Sequence, residues 1–100
     1  MMGQSLKSAA AIVARRIEAA AAGDAHALYE LGVAYSTGAE GAEVDLVEAH
    51  KWFNLAALNG SRLGQESRAE IADCMTAREI AEAQRQARSW LSASAMSIAA

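Results

Sequence analysis

The chain has 100 residues, of which 53% are hydrophobic but only 5% aromatic, and it contains no proline. Much of the apolar content is alanine, which has the highest intrinsic helix propensity and buries little area per residue. This composition predicts an all-α fold in which helices approach closely around a thin core. The length predicts a single domain covering residues 1–100.

The net charge of −3 is concentrated in the middle of the chain. An acidic segment repels phosphate groups, so we expect no nucleic-acid partner. A protein partner is favoured instead, and a basic patch on that partner would complement the segment. Residues 23–60 carry one lysine and six acidic side chains, a sum of −5: Asp24, Glu30, Glu40, Glu43, Asp45 and Glu48.

The number of cysteines and the lack of long apolar stretches indicate the cellular compartment. Cys74 is the only cysteine, so an intrachain disulfide cannot form, which suits a reducing compartment. The apolar stretch 9–14 is interrupted by Arg15 and Arg16 before it reaches the length of an export signal. No segment has the roughly 18 uncharged apolar residues that a membrane span needs. We therefore expect a soluble, cytoplasmic protein with no membrane partner.

Apolar residues at helical spacing predict five helices, and each break between them carries a capping or stop residue. The helices are expected over residues 5–22, 25–37, 45–58, 61–74 and 76–91. Side chains that can accept hydrogen bonds at helix N-termini precede four of them, and glycines follow three. The expected caps are Asp24, Asp45, Ser61 and Thr76, and the expected stops are Gly23, Gly38 and Gly60.

The last two helices differ in the strength of their patterns. The fourth has only Leu63, Ile71 and Met75 as large apolar residues. The fifth opens with a capping box, in which Thr76 and Glu79 satisfy each other's backbone N–H groups. Residues 92–100 carry no charge and no cap, so we expect this tail to fray. The predicted buried stripe of the fifth helix is Ile80, Ala83, Ala87, Trp90 and Leu91.

Residues 25–60 contain a motif of small, apolar and glycine positions spread over two helices and a loop. In the first helix the motif comprises Ala25, Ala27, Leu31, Gly32, Tyr35 and Gly38. In the second it comprises Asp45, Glu48, Ala49, Lys51, Trp52, Ala56, Ala57 and Gly60. This pattern closely resembles one unit of the Sel-one-like repeat family, a relative of the tetratricopeptide repeats.

The resemblance implies an antiparallel helix hairpin over residues 25–60, in which Gly32 leaves room for the partner helix. The segment between Gly38 and Asp45 is one residue longer than the family's usual loop. A weaker match, in which Glu79 takes the place of Asp45, implies a degenerate repeat or C-terminal cap over residues 61–91. Residues 5–22 would form the N-terminal cap. Members of the family are regarded as adaptors, so the resemblance implies a protein-binding module.

The outer side of the second helix is the candidate binding surface, through His26, Tyr29, Glu30 and Val33. Tyr29 and Val33 lie four residues apart and off the apolar stripe, where a solvent-facing groove would lie. The alternative is that both pack against the N-terminal helix as part of the core. Phe53 is expected at an edge of the groove, because adjacent helical positions point about 100° apart.

Catalytic and metal-binding chemistry is not expected. His26 and His50 lie on different helices and are interpreted as surface residues, and Cys74 as a half-buried structural thiol. The acidic run from Glu40 to Glu48 lacks the alternating ligands of a calcium loop. We therefore predict no catalytic residue, no metal ligand and no cofactor.

Two other classes of function stay open. The chain could be a self-associating structural protein whose terminal helices pair with those of a second copy. Its apolar seam would then be formed by Leu6, Val13 and Ile17, or by Trp90 and Leu91. An enzyme is disfavoured because no nucleophile, base and metal set converges in the pattern.

Overall fold

Among the described residues, five α-helices follow one another along the chain, as shown by a computed structural model. It describes residue 11 and residues 14–99, apart from the side chains of residue 40 and residues 95–99. We number the helices α1 (residues 14–21), α2 (Ala25–Thr37), α3 (Leu46–Leu58), α4 (Arg62–Ala72) and α5 (Ala77–Ala99), with a 3₁₀ turn at Ala39–Gly41. No strand occurs among the described residues, and the prediction of an all-α fold is confirmed. Leu6 and Val13, predicted for a self-association seam, lie outside them.

Aspartate side chains cap the second and third helices as predicted. Asp24 Oδ1 accepts hydrogen bonds from the backbone N–H groups of His26 and Ala27 at 2.9 and 3.2 Å. Asp45 Oδ1 accepts one from the N–H of Glu48 at 3.2 Å. Each carboxylate satisfies donors that the first turn of a helix leaves without an intrahelical acceptor.

The predicted caps of α4 and α5 are also present. Ser61 Oγ accepts a hydrogen bond from the N–H of Gly64 at 2.9 Å. The backbone N–H of Thr76 donates to Glu79 Oε1 at 2.8 Å, and the N–H of Glu79 donates to Thr76 Oγ1 at 3.1 Å. This reciprocal pair is the capping box predicted from the sequence.

A backbone hydrogen bond closes the long loop between α2 and α3. The N–H of Asp45 donates to the carbonyl of Tyr35 at 2.8 Å, across the 3₁₀ turn. Gly38 ends α2 with φ of +77°, a conformation that side chains with a Cβ rarely adopt. The loop between Gly38 and Asp45 therefore contains a short helical turn, and α2 and α3 on either side of it pack against each other.

Helix α3 is the centre of the molecule, because α2, α4 and α5 all pack against it. A Cβ added to Gly32 of α2 would collide with the ring of Phe53. A Cβ added to Gly64 of α4 would lie 2.8 Å from the Ala56 Cβ and 3.0 Å from the Phe53 carbonyl oxygen. The rest of the core is contributed by all helices but α4, through Ala20, Leu28, Leu31, Trp52, Leu55, Ala56 and Ala87.

In the second predicted unit, residues 61–91, the two helices do not pack against each other as α2 and α3 do. Within the described residues, α4 and α5 make little contact with each other, and each packs on α3 separately. Helix α5 is held there by the buried Ala83 and Ala87. Its Trp90 lies edge-on to Trp52, with ring centroids 4.8 Å apart and planes at 77°.

Several predicted environments are wrong in α3 and α4. Phe53 is fully buried and does not reach a groove edge, and His50 is only 3% exposed. The common reason is that α3 is covered on three sides, so more of its circumference is buried than in one hairpin. Leu63, predicted to be a main apolar contact of α4, is 57% exposed, and Cys74 is exposed as well.

The C-terminal part of α5 also differs from the prediction. Leu91, assigned to the buried stripe, is 41% exposed, whereas Trp90 beside it packs on the core. Fraying was expected from Ser92, but α5 continues to Ala99. Alanine and serine in this stretch do not oppose a helix that a capping box has already started. Among the described residues, no helix combines the length and apolarity needed to cross a membrane.

Replacing Gly32 with alanine should destabilise the protein, although alanine is favoured over glycine in helices by about 0.5–1 kcal/mol. The reason is the collision of the new Cβ with the Phe53 ring. Thermal unfolding should show a lower melting temperature for Gly32→Ala. In a Phe53→Leu background the same change should cost less. An equal cost in both backgrounds would contradict the assigned contact.

Candidate protein-binding surface

The four predicted binding residues lie together on the outer side of α2. His26, Tyr29, Glu30 and Val33 all line one surface cleft of about 240 Å³. The cleft is completed by Arg16 of α1 and by Ala34 and Ala39. We call the four residues the α2 surface. Their spacing of three and four residues along the helix places them in one row, which is why the sequence pattern predicts their proximity.

Tyr29 belongs both to this cleft and to the edge of the core. Its ring lies 5.7 Å from that of Phe53, centroid to centroid, at an angle of 40°. It is half-buried, as is Val33. The two interpretations of Tyr29, groove or core, are therefore not exclusive. An aromatic ring supported from below and open above loses little conformational freedom when a ligand covers it.

Glu30 takes part in an ion-pair network that joins α1 to α2. Its carboxylate pairs with the guanidinium of Arg16, and its Oε1 lies 2.8 Å from His26 Nε2. The Glu30 and Arg16 side chains are 35% and 20% exposed, so water only partly screens the pair. Glu30 therefore helps to dock α1 on α2. A cleft of about 410 Å³ borders the network on its α1 side, lined in part by Arg15 and Asp24.

The acidic charge available to a partner comes from the loop before α3. Glu43 and Asp45 are exposed there. Glu48 is instead engaged inside the helix, with its carboxylate oxygens 2.9 Å from Lys51 Nζ and 2.9 Å from Trp52 Nε1. The loop thus carries the negative potential that the charge count places in this part of the chain.

Tyr35, near the C-terminal end of α2, is affected by the negative charges of this region. Its pKa is raised above the ordinary value of 10.0, first by burial and then by the charges of Glu48 and Asp45. The phenol therefore stays neutral and protonated throughout the physiological range. Tyr35 thus packs against the core as a neutral side chain.

The structure separates the two histidines and places each with a charged neighbour. His26 is exposed in the network with Glu30. His50 is buried between α3 and α4, and its pKa is lowered from 6.5 by burial and then by the positive charge of Arg68. Among the described residues, no three His, Cys, Asp or Glu side chains are grouped so that they could hold a metal ion.

A third cleft, without charged lining residues, includes Leu28 of α2. It has a volume of about 180 Å³ and is lined by side chains of α1, α2, α3 and α5, among them Leu28, Leu55, Trp90 and Leu91. None of its lining residues carries a charge. We call it the α5 cleft. It includes the Trp90–Leu91 pair that the sequence predicted for self-association.

The residues of the proposed repeat have distinct roles in the packing. Tyr35 and Ala57 are half-buried, Asp45 is a cap, and Gly38 and Gly60 follow helix ends with φ of +77° and +94°. The sequence interpretation did not identify Gly64 as a packing residue, although the Leu63-Gly64 pair could have indicated it. The fully buried members of the motif are Ala27, Leu31, Gly32, Ala49, Trp52 and Ala56.

No family model matches the chain, and no curated protein or solved structure is significantly similar to it. The resemblance to the Sel-one-like repeats therefore stays a prediction.

Neutralising Glu30 should weaken the docking of α1. Glu30→Gln is expected to lower the free energy of unfolding by about 0.5–1 kcal/mol, the range of a partly exposed ion pair. Glu43→Gln, which removes an exposed carboxylate from the loop, is the matched control and should leave stability unchanged. Urea unfolding of both variants measures the difference. If Glu30→Gln were as stable as Glu43→Gln, the network would have no structural role.

Proposed function

We propose that this protein is an interaction module that binds a partner protein through the α2 surface, and that it has no catalytic role. The observation that carries the proposal is the position of Tyr29 and Val33. Both are half-buried on the core side while lining an open cleft beside the Arg16–Glu30–His26 network. Apolar anchors with a charged rim are typical of protein-binding surfaces.

We further propose that residues 25–60 form one Sel-one-like repeat. This is supported by the α2–α3 packing and by the burial of Leu31, Gly32 and Trp52, which the resemblance assigns to the seam of a hairpin. Since α4 and α5 do not pair with each other, residues 61–91 act in this proposal as a C-terminal cap on α3.

The chemistry of the partner follows from the charge next to the cleft. Glu43 and Asp45 are exposed on the loop that follows α2, and residues 23–60 sum to −5. A partner segment with a basic side chain beside an apolar one would match both features. Electrostatic complementarity of this kind chiefly accelerates association, so the rate should fall as salt is added.

A photo-crosslinking amino acid tests where the partner binds. Placed at Val33 in cells that produce the protein, it should give a covalent adduct with a defined partner. The matched control is the same amino acid at Glu70, which is exposed on α4. Equal adducts from both positions, or an adduct from Glu70 alone, would place the binding site elsewhere.

The contribution of Tyr29 to the binding free energy can then be measured with the captured partner. Tyr29→Ala should weaken binding by about 1–3 kcal/mol, the scale of an interface anchor. Because Tyr29 contacts Phe53, the change also affects stability, and Phe53→Leu is the control. Phe53 is buried beneath Tyr29, so its variant should lower the melting temperature and reduce the affinity much less than Tyr29→Ala does. Parallel losses of affinity in both variants would show that Tyr29 acts only through the core.

Self-association is the second candidate, favoured by the α5 cleft. Leu91 is 41% exposed beside this uncharged surface, where two copies could meet without repulsion between like charges. If the protein is a dimer by light scattering, Leu91→Glu should convert it to a monomer. Leu63→Glu changes a more exposed leucine, on α4, and is the control that should stay dimeric. A wild-type monomer at high concentration would exclude this candidate.

A further inference from the structure

His50 is a buried polar residue that the proposed binding surface does not use. It lies on α3, and its side chain is closed off from water. Among the described residues, its Nδ1 atom has no hydrogen-bond partner. A buried polar atom without a hydrogen-bond partner lowers the stability of the folded protein, so the burial of the His50 side chain is unfavourable.

A cation of α4 lies near His50. Arg68 of α4 donates a hydrogen bond from Nη1 to Asn54 Oδ1 at 2.5 Å. Asn54 lies one helical turn after His50, on the same side of α3. The positive charge of Arg68 disfavours protonation of His50, in addition to burial. A protonated imidazole would therefore be repelled by the guanidinium.

Helix α4 depends on this one interface. It packs on α3, touches α2 only slightly, and makes little contact with α5 within the described residues. Gly64 is its only fully buried residue, whereas its largest apolar side chain near the N-terminus, Leu63, is exposed. Helix α5 has its own attachment to α3 through Ala83, Ala87 and Trp90. An element that has one fully buried residue and joins the rest of the molecule mainly through α3 can open locally while the rest stays folded.

We propose that protonation of His50 in mildly acidic solution releases α4 from α3 while α2, α3 and α5 stay packed together. The neutral imidazole is tolerated at the interface, whereas the imidazolium is repelled by Arg68 and has lost its hydration. Release would uncover the face of α3 that Gly64 covers, including Ala56 and Ala57. The chain would then present a second apolar surface at low pH.

The direction of the pH dependence follows from the shift of the His50 pKa. Burial and the Arg68 charge lower the pKa of His50 from 6.5 in the folded protein. His50 therefore binds a proton more tightly when the α3–α4 interface is open. The α3–α4 contact is therefore fully stable above about pH 6.5. It loses stability as the pH falls below that value and toward the pKa of the folded state.

Cys74 offers a direct probe, because it is the only cysteine, is exposed, and lies just after α4. A nitroxide spin label on Cys74 should gain mobility between about pH 7.5 and about pH 5, across the titration range of histidine. Tryptophan emission, which reports the Trp52–Trp90 contact of α3 with α5, should stay unchanged over the same range. Simultaneous changes of both signals would mean global unfolding and would overturn the proposal.

Three variants identify the group that titrates. His50→Gln should abolish the gain in label mobility, and His26→Gln, which removes the exposed histidine on α2, should keep it. Arg68→Gln retains a hydrogen-bond donor for Asn54 but removes the positive charge. The gain in label mobility should therefore be smaller, because the repulsion of the imidazolium is lost. This variant also keeps the proposal testable if His50→Gln does not fold. An unaltered pH response in Arg68→Gln, or its loss in His26→Gln, would contradict the proposed mechanism.

Discussion

Helix α3 lies between two glycines of neighbouring helices, and the enclosure of its side chains depends on these close approaches. Gly32 of α2 faces the ring of Phe53, and Gly64 of α4 faces the Phe53 carbonyl and the Ala56 methyl group. Small residues let helix backbones approach closely, so the helices gain dispersion contacts that larger side chains would prevent. With α5 on a third side, α3 has little surface left for solvent.

The burial of α3 determines where function can reside. Its side chains pack inward and its one buried histidine is enclosed, so the surfaces open to a partner lie on the outer helices. On α2, the same close approach at Gly32 that seats Phe53 also supports Tyr29 from below. The α2 surface is therefore a rigid one, and its charged rim is fixed by the link from Glu30 to Arg16.

Local structure could be predicted from the sequence because its causes are local. Asp24, Asp45 and Ser61 cap helices through hydrogen bonds to groups two or three residues away, and the capping box at Thr76 spans three. The row formed by the α2 surface follows from helical periodicity alone. The ion pair of Glu30 with Arg16 could not be predicted, because it joins two helices whose relative rotation depends on tertiary packing.

The environments that were predicted wrongly depend on how whole helices pack against one another. Leu63 and Gly64 are adjacent, and Gly64 is the one that faces α3, because the two helices approach closely there. The more hydrophobic Leu63 is exposed instead. His50 is buried because α4 covers a side of α3 that would be open in a single hairpin. Leu91 is exposed because Trp90 takes the contact with Trp52.

A nuclear Overhauser spectrum of the protein tests the central contact most directly. We expect cross-peaks from the Gly32 α-protons to the Phe53 ring and from the Gly64 α-protons to the Ala56 methyl group, since a Cβ at either glycine would collide with those groups. Both sets must appear in the same folded species. A folded protein that lacks the Gly64–Ala56 cross-peak, or whose Phe53 ring contacts no glycine, would contradict the packing of α3 between α2 and α4.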